Sequence, residues 1–176
     1  MNGTVVSPSP LWMRLVFGRN PKVTLIRLVC LIAGTFVVFR FVLILIRVTG
    51  PSMNPTFLDG KVGVVNHLAY AWNKPKRGDV IAFRVPEEHD AVYIKRIVAL
   101  PGERIFLDGG RVWINGALLE EPYLNVLPRP LGTPKRIHAG QETKLDDDEY
   151  FVIGDNRRVS VSRPVPVYYI LGKVVF

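Results

Sequence analysis

The first 47 residues contain no aspartate and no glutamate. They carry six of the chain's 23 basic residues, Arg14, Arg19, Lys22, Arg27, Arg40 and Arg47, so most of the net charge of +8 sits in the first quarter of the sequence. The remainder holds 17 basic and 15 acidic side chains and is close to neutral. A domain so balanced lacks the concentrated basic face of a nucleic-acid groove, and nucleic acid is not expected as a partner. Cysteine is nearly absent: with Cys30 alone, no intrachain disulfide can form. Histidine is scarce and scattered. His67, His89 and His138 form no spaced ligand pair, and no metal or cofactor is expected. After the first 47 residues no stretch of helical period reaches a useful length, and no internal repeat is found.

What the chain does have is one long apolar run. Residues 28–46 contain a single charge, Arg40. As a helix, these residues would extend about 28 Å, close to the thickness of a bilayer's hydrocarbon core. Arg40 lies near enough to the outer end for its side chain to snorkel to the interface. A helix lying flat on a membrane would need a polar face, which the run lacks. A cleaved leader would need a small-x-small site after it, and none follows. The expectation is a basic cytoplasmic tail over 1–22, a transmembrane helix over 23–47 and an outward-facing β-rich domain over 48–176. The basic cluster ahead of the run sets that orientation and makes membrane lipid a partner.

The domain after residue 48 reads as mostly β. Short β-branched runs at Val62–Asn66, Val80–Val85, 92–100, 104–107, 112–114, 150–153 and 172–176 predict strands. Asp108-Gly109-Gly110 is a hairpin signal, and Asn115-Gly116 makes a second tight turn. Residues 122–140, rich in proline and glycine, predict a long excursion.

Residues 49–56 read Thr-Gly-Pro-Ser-Met-Asn-Pro-Thr. Gly50, Pro51 and Pro55 force a sharply turned backbone, which holds Ser52 at its tip. One reading is a linker turn after the apolar run; the other is a nucleophile presented at the membrane surface. A serine hydroxyl needs a base beside it. His67 oriented by Asp79 or Asp155 is one candidate, a lone carboxylate another. The third is Lys95, in Val-Tyr-Ile-Lys-Arg-Ile-Val-Ala-Leu at 92–100. Strand alternation sets Tyr93, Lys95, Ile97 and Ala99 on one face. Among such neighbours a lysine either loses its proton readily through burial or snorkels to the sheet edge, and the strand alone leaves both open. Arg96, pointing the other way, reads as a structural ion-pair partner.

Four segments together resemble, in order, the motif boxes of the type I signal peptidases: residues 49–56, Arg-Gly-Asp-Val-Ile-Ala-Phe at 77–83, Tyr-Ile-Lys-Arg-Ile-Val-Ala-Leu-Pro-Gly at 93–102, and Gly-Asp-Asn-Arg at 154–157. The resemblance covers the chain from the apolar run to Phe176. It implies a mostly β signal-peptidase-like catalytic domain with a small accessory β subdomain, anchored by one helix to the outer face of the cell's inner (plasma) membrane. It implies a serine endopeptidase that cuts signal peptides from exported preproteins. By the same resemblance Ser52 is the nucleophile and Lys95 the general base. Met53 borders the substrate pocket, and the stretch 81–86, with Ile81, Ala82 and Phe83, pairs with an extended substrate. Ser160 hydrogen-bonds the lysine amine, and Gly154, Asp155, Asn156, Arg157 and Arg163 support the site.

Two departures stand out. The family's last box carries an aspartate that pairs with the arginine matched by Arg163; here the segment reads Val-Ser-Val-Ser-Arg at 159–163, one residue short. Ser160 and Ser162 therefore both stand near the matched position. Where some members have a second hydroxyl for the oxyanion this chain has Gly50, which leaves backbone N–H groups, chiefly that of Ser52. A relative dedicated to one substrate, or an inactive membrane-anchored β module, are the alternatives.

Overall fold

Pro21 opens helix α1 (Pro21–Val37) at the first helical position, where its missing N–H is one the helix could not have paired. The computed structural model describes residues 20–89, 91–124 and 141–175. Nearly all of the expected tail over 1–22, and most of the excursion over 122–140, lie outside them. Helix α1 is apolar on every side: Leu25, Ile26, Leu28, Leu31, Ile32 and Phe36 are all exposed. It passes into a π-helical turn, Val38–Val42, and the chain divides there into two units, one ending at Phe41 and one beginning at Val42.

The apolar run does not stay helical to residue 47. Leu43–Arg47 is strand β1, antiparallel to β2 (Val62–Asn66), with Leu43 opposite Asn66 and Arg47 opposite Val62. The segment Leu-Ile-Leu-Ile-Arg carries β-branched residues at alternate positions, and β2 supplies partners for its backbone. No helix among the described residues is long and apolar enough to cross a membrane.

The second unit is built on β3 (Val80–Val85), β4 (Ala91–Ala99), β5 (Arg104–Asp108), β6 (Arg111–Ile114), β7 (Ala117–Leu118), β8 (Thr143–Lys144), β9 (Glu149–Ile153), β10 (Arg163–Pro166) and β11 (Ile170–Val175). One seven-stranded sheet runs β1-β2-β11-β3-β4-β9-β10, and a second runs β7-β6-β5-β8; every pairing is antiparallel.

Strand β3 is the sheet's middle. Val80 and Ala82 face one apolar cluster with Met53, Phe57 and Val65, while Ile81, Phe83 and Val85 face another with Ile97, Val152 and Val165. Burial on both faces explains why this strand is apolar at every position but the exposed Arg84. On β4 the alternation read from sequence holds as far as Ile97. A bulge between Ile97 and Ala99 then turns Val98 and Ala99 into the same cluster, against Ile105, Leu107 and Phe151. That cluster joins the two sheets. Strand β10, with Pro164 and Pro166, closes the large sheet at an edge, where a residue lacking an N–H is tolerated.

Candidate active site

Gly50 begins the turn with φ +92°, a conformation that favours glycine, and its N–H donates to Asp59 Oδ1 at 2.9 Å. Pro51–Met53 then forms one 3₁₀ turn. Met53 is 1% exposed and packs with Val48, Phe57, Val65, Val80, Ala82 and Val174. This corrects the expectation that Met53 borders the substrate pocket. Its long apolar side chain is the plug that seats the turn in the core, and the next side chain in line, Ser52, is left at the surface of a cleft.

The 154–157 segment clamps the turn from the other side. Asn156 donates from its backbone N–H to Ser52 O at 3.0 Å and from Nδ2 to Pro51 O at 3.0 Å. Thr56 Oγ1 donates to Asp155 Oδ2 at 2.5 Å. Gly154 fits because it has no side chain: a Cβ there would stand 2.2 Å from Ser52 O and 2.4 Å from Ser160 Oγ.

Lys95 comes from the middle of β4, opposite Ile81 on β3, and is 5% exposed. Its Nζ lies 2.6 Å from Ser52 Oγ, within strong hydrogen-bond range. Burial pushes the ammonium down from its ordinary value to about 8, against the smaller opposing pull of the Asp155 carboxylate. Asp155 is itself occupied by Arg96, which donates Nε to Oδ1 at 2.9 Å and Nη2 to Oδ2 at 2.6 Å. Arg96 is thus the ion-pair partner expected from the strand. The alternative base finds no support, because neither carboxylate proposed to orient His67 is turned to it. Asp79 accepts from Tyr70, the Lys76 N–H and Lys173, and Asp155 from Arg96 and Thr56.

A cleft of about 220 Å³ opens beside this pair, lined by Thr49, Gly50, Phe83, Glu88, Tyr93, Val159, Val161 and Arg163 as well as Ser52 and Lys95. Of the three residues expected on the substrate-pairing strand, Phe83 alone reaches the cleft. Strand β3 cannot take another strand: β11 pairs with one edge and β4 with the other, and Ile81 and Ala82 are fully buried. The open edge belongs to β4. Strand β9 pairs with β4 only from Arg96 onward, so among the described residues no strand covers positions 91–95 on that side.

Ser160 does not reach the lysine. Its hydroxyl accepts from Gly154 N–H at 2.7 Å and donates to Val161 O at 3.3 Å. The shortened segment folds back on itself, with Val159 N–H and Ser160 N–H both donating to Asn156 O, which turns the hydroxyl beneath Gly154. Ser162 is fully buried and its hydroxyl has no partner. Arg163, deprived of the family's aspartate, pairs instead with Glu87 at 3.1 Å and Glu88 at 3.8 Å, at the far end of the cleft. Arg157 points away from the cleft. Its guanidinium is ion-paired with Glu121 and donates to Gly110 O at 3.1 Å. Sequence reasoning singled out neither Glu88 nor Glu121; Glu121 meets Arg157 only through the fold, across 36 residues.

Several known proteins are similar in sequence to this chain. A signal peptidase I of Leptolyngbya laminosa is 35% identical over 135 residues, which cover 70% of this chain and 63% of that protein. The match thus spans a little under two thirds of that relative's length. Signal peptidase I V of Bacillus subtilis (strain 168) is 33% identical over 124 residues, covering 63% of this chain and 68% of the relative. The solved structure of a signal peptidase I from Enterococcus faecalis V583 matches at 28% identity and a TM-score of 0.44, over 58% of this chain and 98% of the other. Residues 22–176 match the family model described as signal peptidase, peptidase S26, and the chain belongs to that family.

Proposed function

We propose that the protein is a membrane-anchored serine endopeptidase that removes signal peptides from exported preproteins, with Ser52 as nucleophile and Lys95 as general base. The observation that carries this is the buried amine with its lowered proton affinity 2.6 Å from the serine hydroxyl. Neutral Lys95 takes the Ser52 proton while Oγ attacks the scissile carbonyl. The lysine then gives that proton to the leaving amine as the C–N bond breaks and the acyl-enzyme forms. In the second half a water loses its proton to the same amine and attacks the ester, and Ser52 regains its proton as the acid is released. Ser52 is the second residue of its 3₁₀ turn, so its N–H is one of the turn's unpaired donors and serves the oxyanion.

The substrate lies along the free β4 edge at 91–95 as an added strand, its side chains meeting the small cleft beside Phe83, Tyr93, Val159 and Val161. The apolar surface of α1 and the turn after it anchor the chain to a membrane, and the basic residues before the run favour its cytoplasmic face. The test is cleavage of a preprotein by the full chain in detergent micelles. Ser52→Ala and Lys95→Ala should each abolish it, and cleavage by either variant at the wild-type rate sinks the proposal.

A further inference from the structure

Behind the serine and lysine lies a chain of buried charges of alternating sign. Asp155 is held by Arg96; the Arg96 guanidinium is covered by the ring of Tyr123, whose centroid is 4.0 Å from Cζ. The Tyr123 hydroxyl donates to Glu121 Oε1 at 2.5 Å, and Glu121 ion-pairs with Arg157. The Glu121 and Arg157 side chains are 6% and 4% exposed. Arg157 also donates to Gly110 O, in the turn between β5 and β6. Both ends of this chain reach the reacting pair. Arg96 follows Lys95 on β4, and Arg157 ends the segment whose Asn156 holds the backbone of Pro51 and Ser52.

We infer that Glu121 and Tyr123 are positioning residues for the Ser52–Lys95 pair, and that through them the small sheet sets the geometry of the nucleophile's turn. This rests on the peptidase reading given above. Among the described residues Arg157 has one charged partner, Glu121, and its Nε has none. Without the Glu121 carboxylate the Arg157 guanidinium has only a backbone carbonyl to hold it, and the 154–157 segment loses its fixed end. Without the Tyr123 ring, Arg96 is open to water on the face away from Asp155 and holds that carboxylate less rigidly. A shift of a fraction of an ångström in Ser52 relative to Lys95 is costly, because proton transfer depends steeply on their separation. The charged and titratable groups around Lys95 are Asp155 on the buried side, and Glu88, Tyr93 and Arg163 along the cleft. Loss of the Glu121 charge leaves the buried network with an excess positive charge, which favours the neutral amine and moves the acid limb of the rate profile to lower pH.

The experiment compares kcat, KM and the pH profile of preprotein cleavage for wild type, Ser52→Ala, Glu121→Gln, Tyr123→Leu and Tyr123→Phe, with thermal melting of each. Glu121→Gln and Tyr123→Leu should lower kcat about tenfold or more with little change in KM, since neither residue lines the cleft. In Glu121→Gln the acid limb should also move down. Tyr123→Phe, which keeps the ring over Arg96, should recover most of the rate. A folded Glu121→Gln or Tyr123→Leu protein with wild-type kcat and an unmoved limb overturns the inference while leaving the peptidase reading intact. Equal activity of wild type and Ser52→Ala sinks the peptidase reading itself. If Glu121→Gln does not fold, the contrast between Tyr123→Leu and Tyr123→Phe decides: equal rates for the two count against a positioning role.

Discussion

Replacement of Lys95 by methionine should make the protein more stable at neutral pH and inactive. The side chain is 5% exposed, and its amine titrates at about 8 instead of the ordinary 10.5. A depression of that size corresponds to about 3 kcal/mol of unfavourable burial of the charged form. Methionine has a similar length and no charge to desolvate, so it removes this cost. It also removes the hydrogen bond to Ser52, worth about 1 kcal/mol. The net gain expected at pH 7 is therefore about 2 kcal/mol. The sign with pH follows from proton counting. Between about 8 and 10.5 the unfolded wild-type chain binds more protons than the folded one, so wild-type stability rises with pH across that window. Below it the penalty is complete, and above it the penalty is gone. The methionine variant has no such term, so its advantage should be full at pH 7, cancel near pH 10 and become a deficit of about 1 kcal/mol at higher pH, where only the lost hydrogen bond remains. Denaturant unfolding of both proteins at pH 7, 9 and 10.5 reads the difference directly. A variant less stable than wild type at pH 7, or a difference that does not change with pH, refutes the reasoning.

Three further outcomes follow from the same geometry. In wild type, kcat/KM for preprotein cleavage should rise about tenfold per pH unit up to about 8, where the amine becomes neutral, and then level; a flat profile between pH 6 and 8 excludes a lysine base. Gly154→Ala drives a Cβ to 2.2 Å from Ser52 O, and the nucleophile's turn has to move. Cleavage by the folded variant should fall about 100-fold or more, and an unaltered rate would show that the clamp is not needed. Met53→Ala opens a cavity among Val48, Phe57, Val65 and Val174 and should cost about 2–5 kcal/mol in denaturant unfolding. A loss below about 1 kcal/mol would return Met53 to the cleft wall.

The parts of this protein that were legible in the sequence are those whose signal is local. Val80–Val85 is apolar at every position but Arg84 because both its faces are buried, and Asp108-Gly109-Gly110 turns the chain with little help from elsewhere. Lys95 drew attention because an ammonium in so apolar a strand is conspicuous. Its meeting with Ser52, 43 residues away, was legible only through the ordered boxes and not from spacing. The strand at Leu43–Arg47 was not legible because four apolar residues continuing a helical run look the same whether lipid or β2 receives them. Strand β10 was missed because Pro164 and Pro166 argue against a strand everywhere but at an edge. For Met53 and Ser160 the residues were marked but their directions were not, since a 3₁₀ turn and a shortened loop have no period from which to read where a side chain points. Arg96–Asp155, Arg157–Glu121 and Arg163–Glu87 pair across 36 to 76 residues, and no pattern along the chain matches such partners.

The uncovered edge of β4 has a consequence for how this protein coexists with other polypeptides. An unpaired strand edge is a template for any extended segment, and proteins normally hide such edges or arm them with charge. Here the exposure cannot be removed if the edge is to do its work. What limits promiscuous pairing is local: Glu88 and Arg163 stand at one end, the clamped turn at the other, and five residues of edge give too short a ladder to hold a partner by backbone bonds alone. A stray peptide therefore finds a weak foothold, and a segment that stays bound needs contacts in the cleft besides the edge. The shortness of that open ladder limits what so exposed an edge can capture.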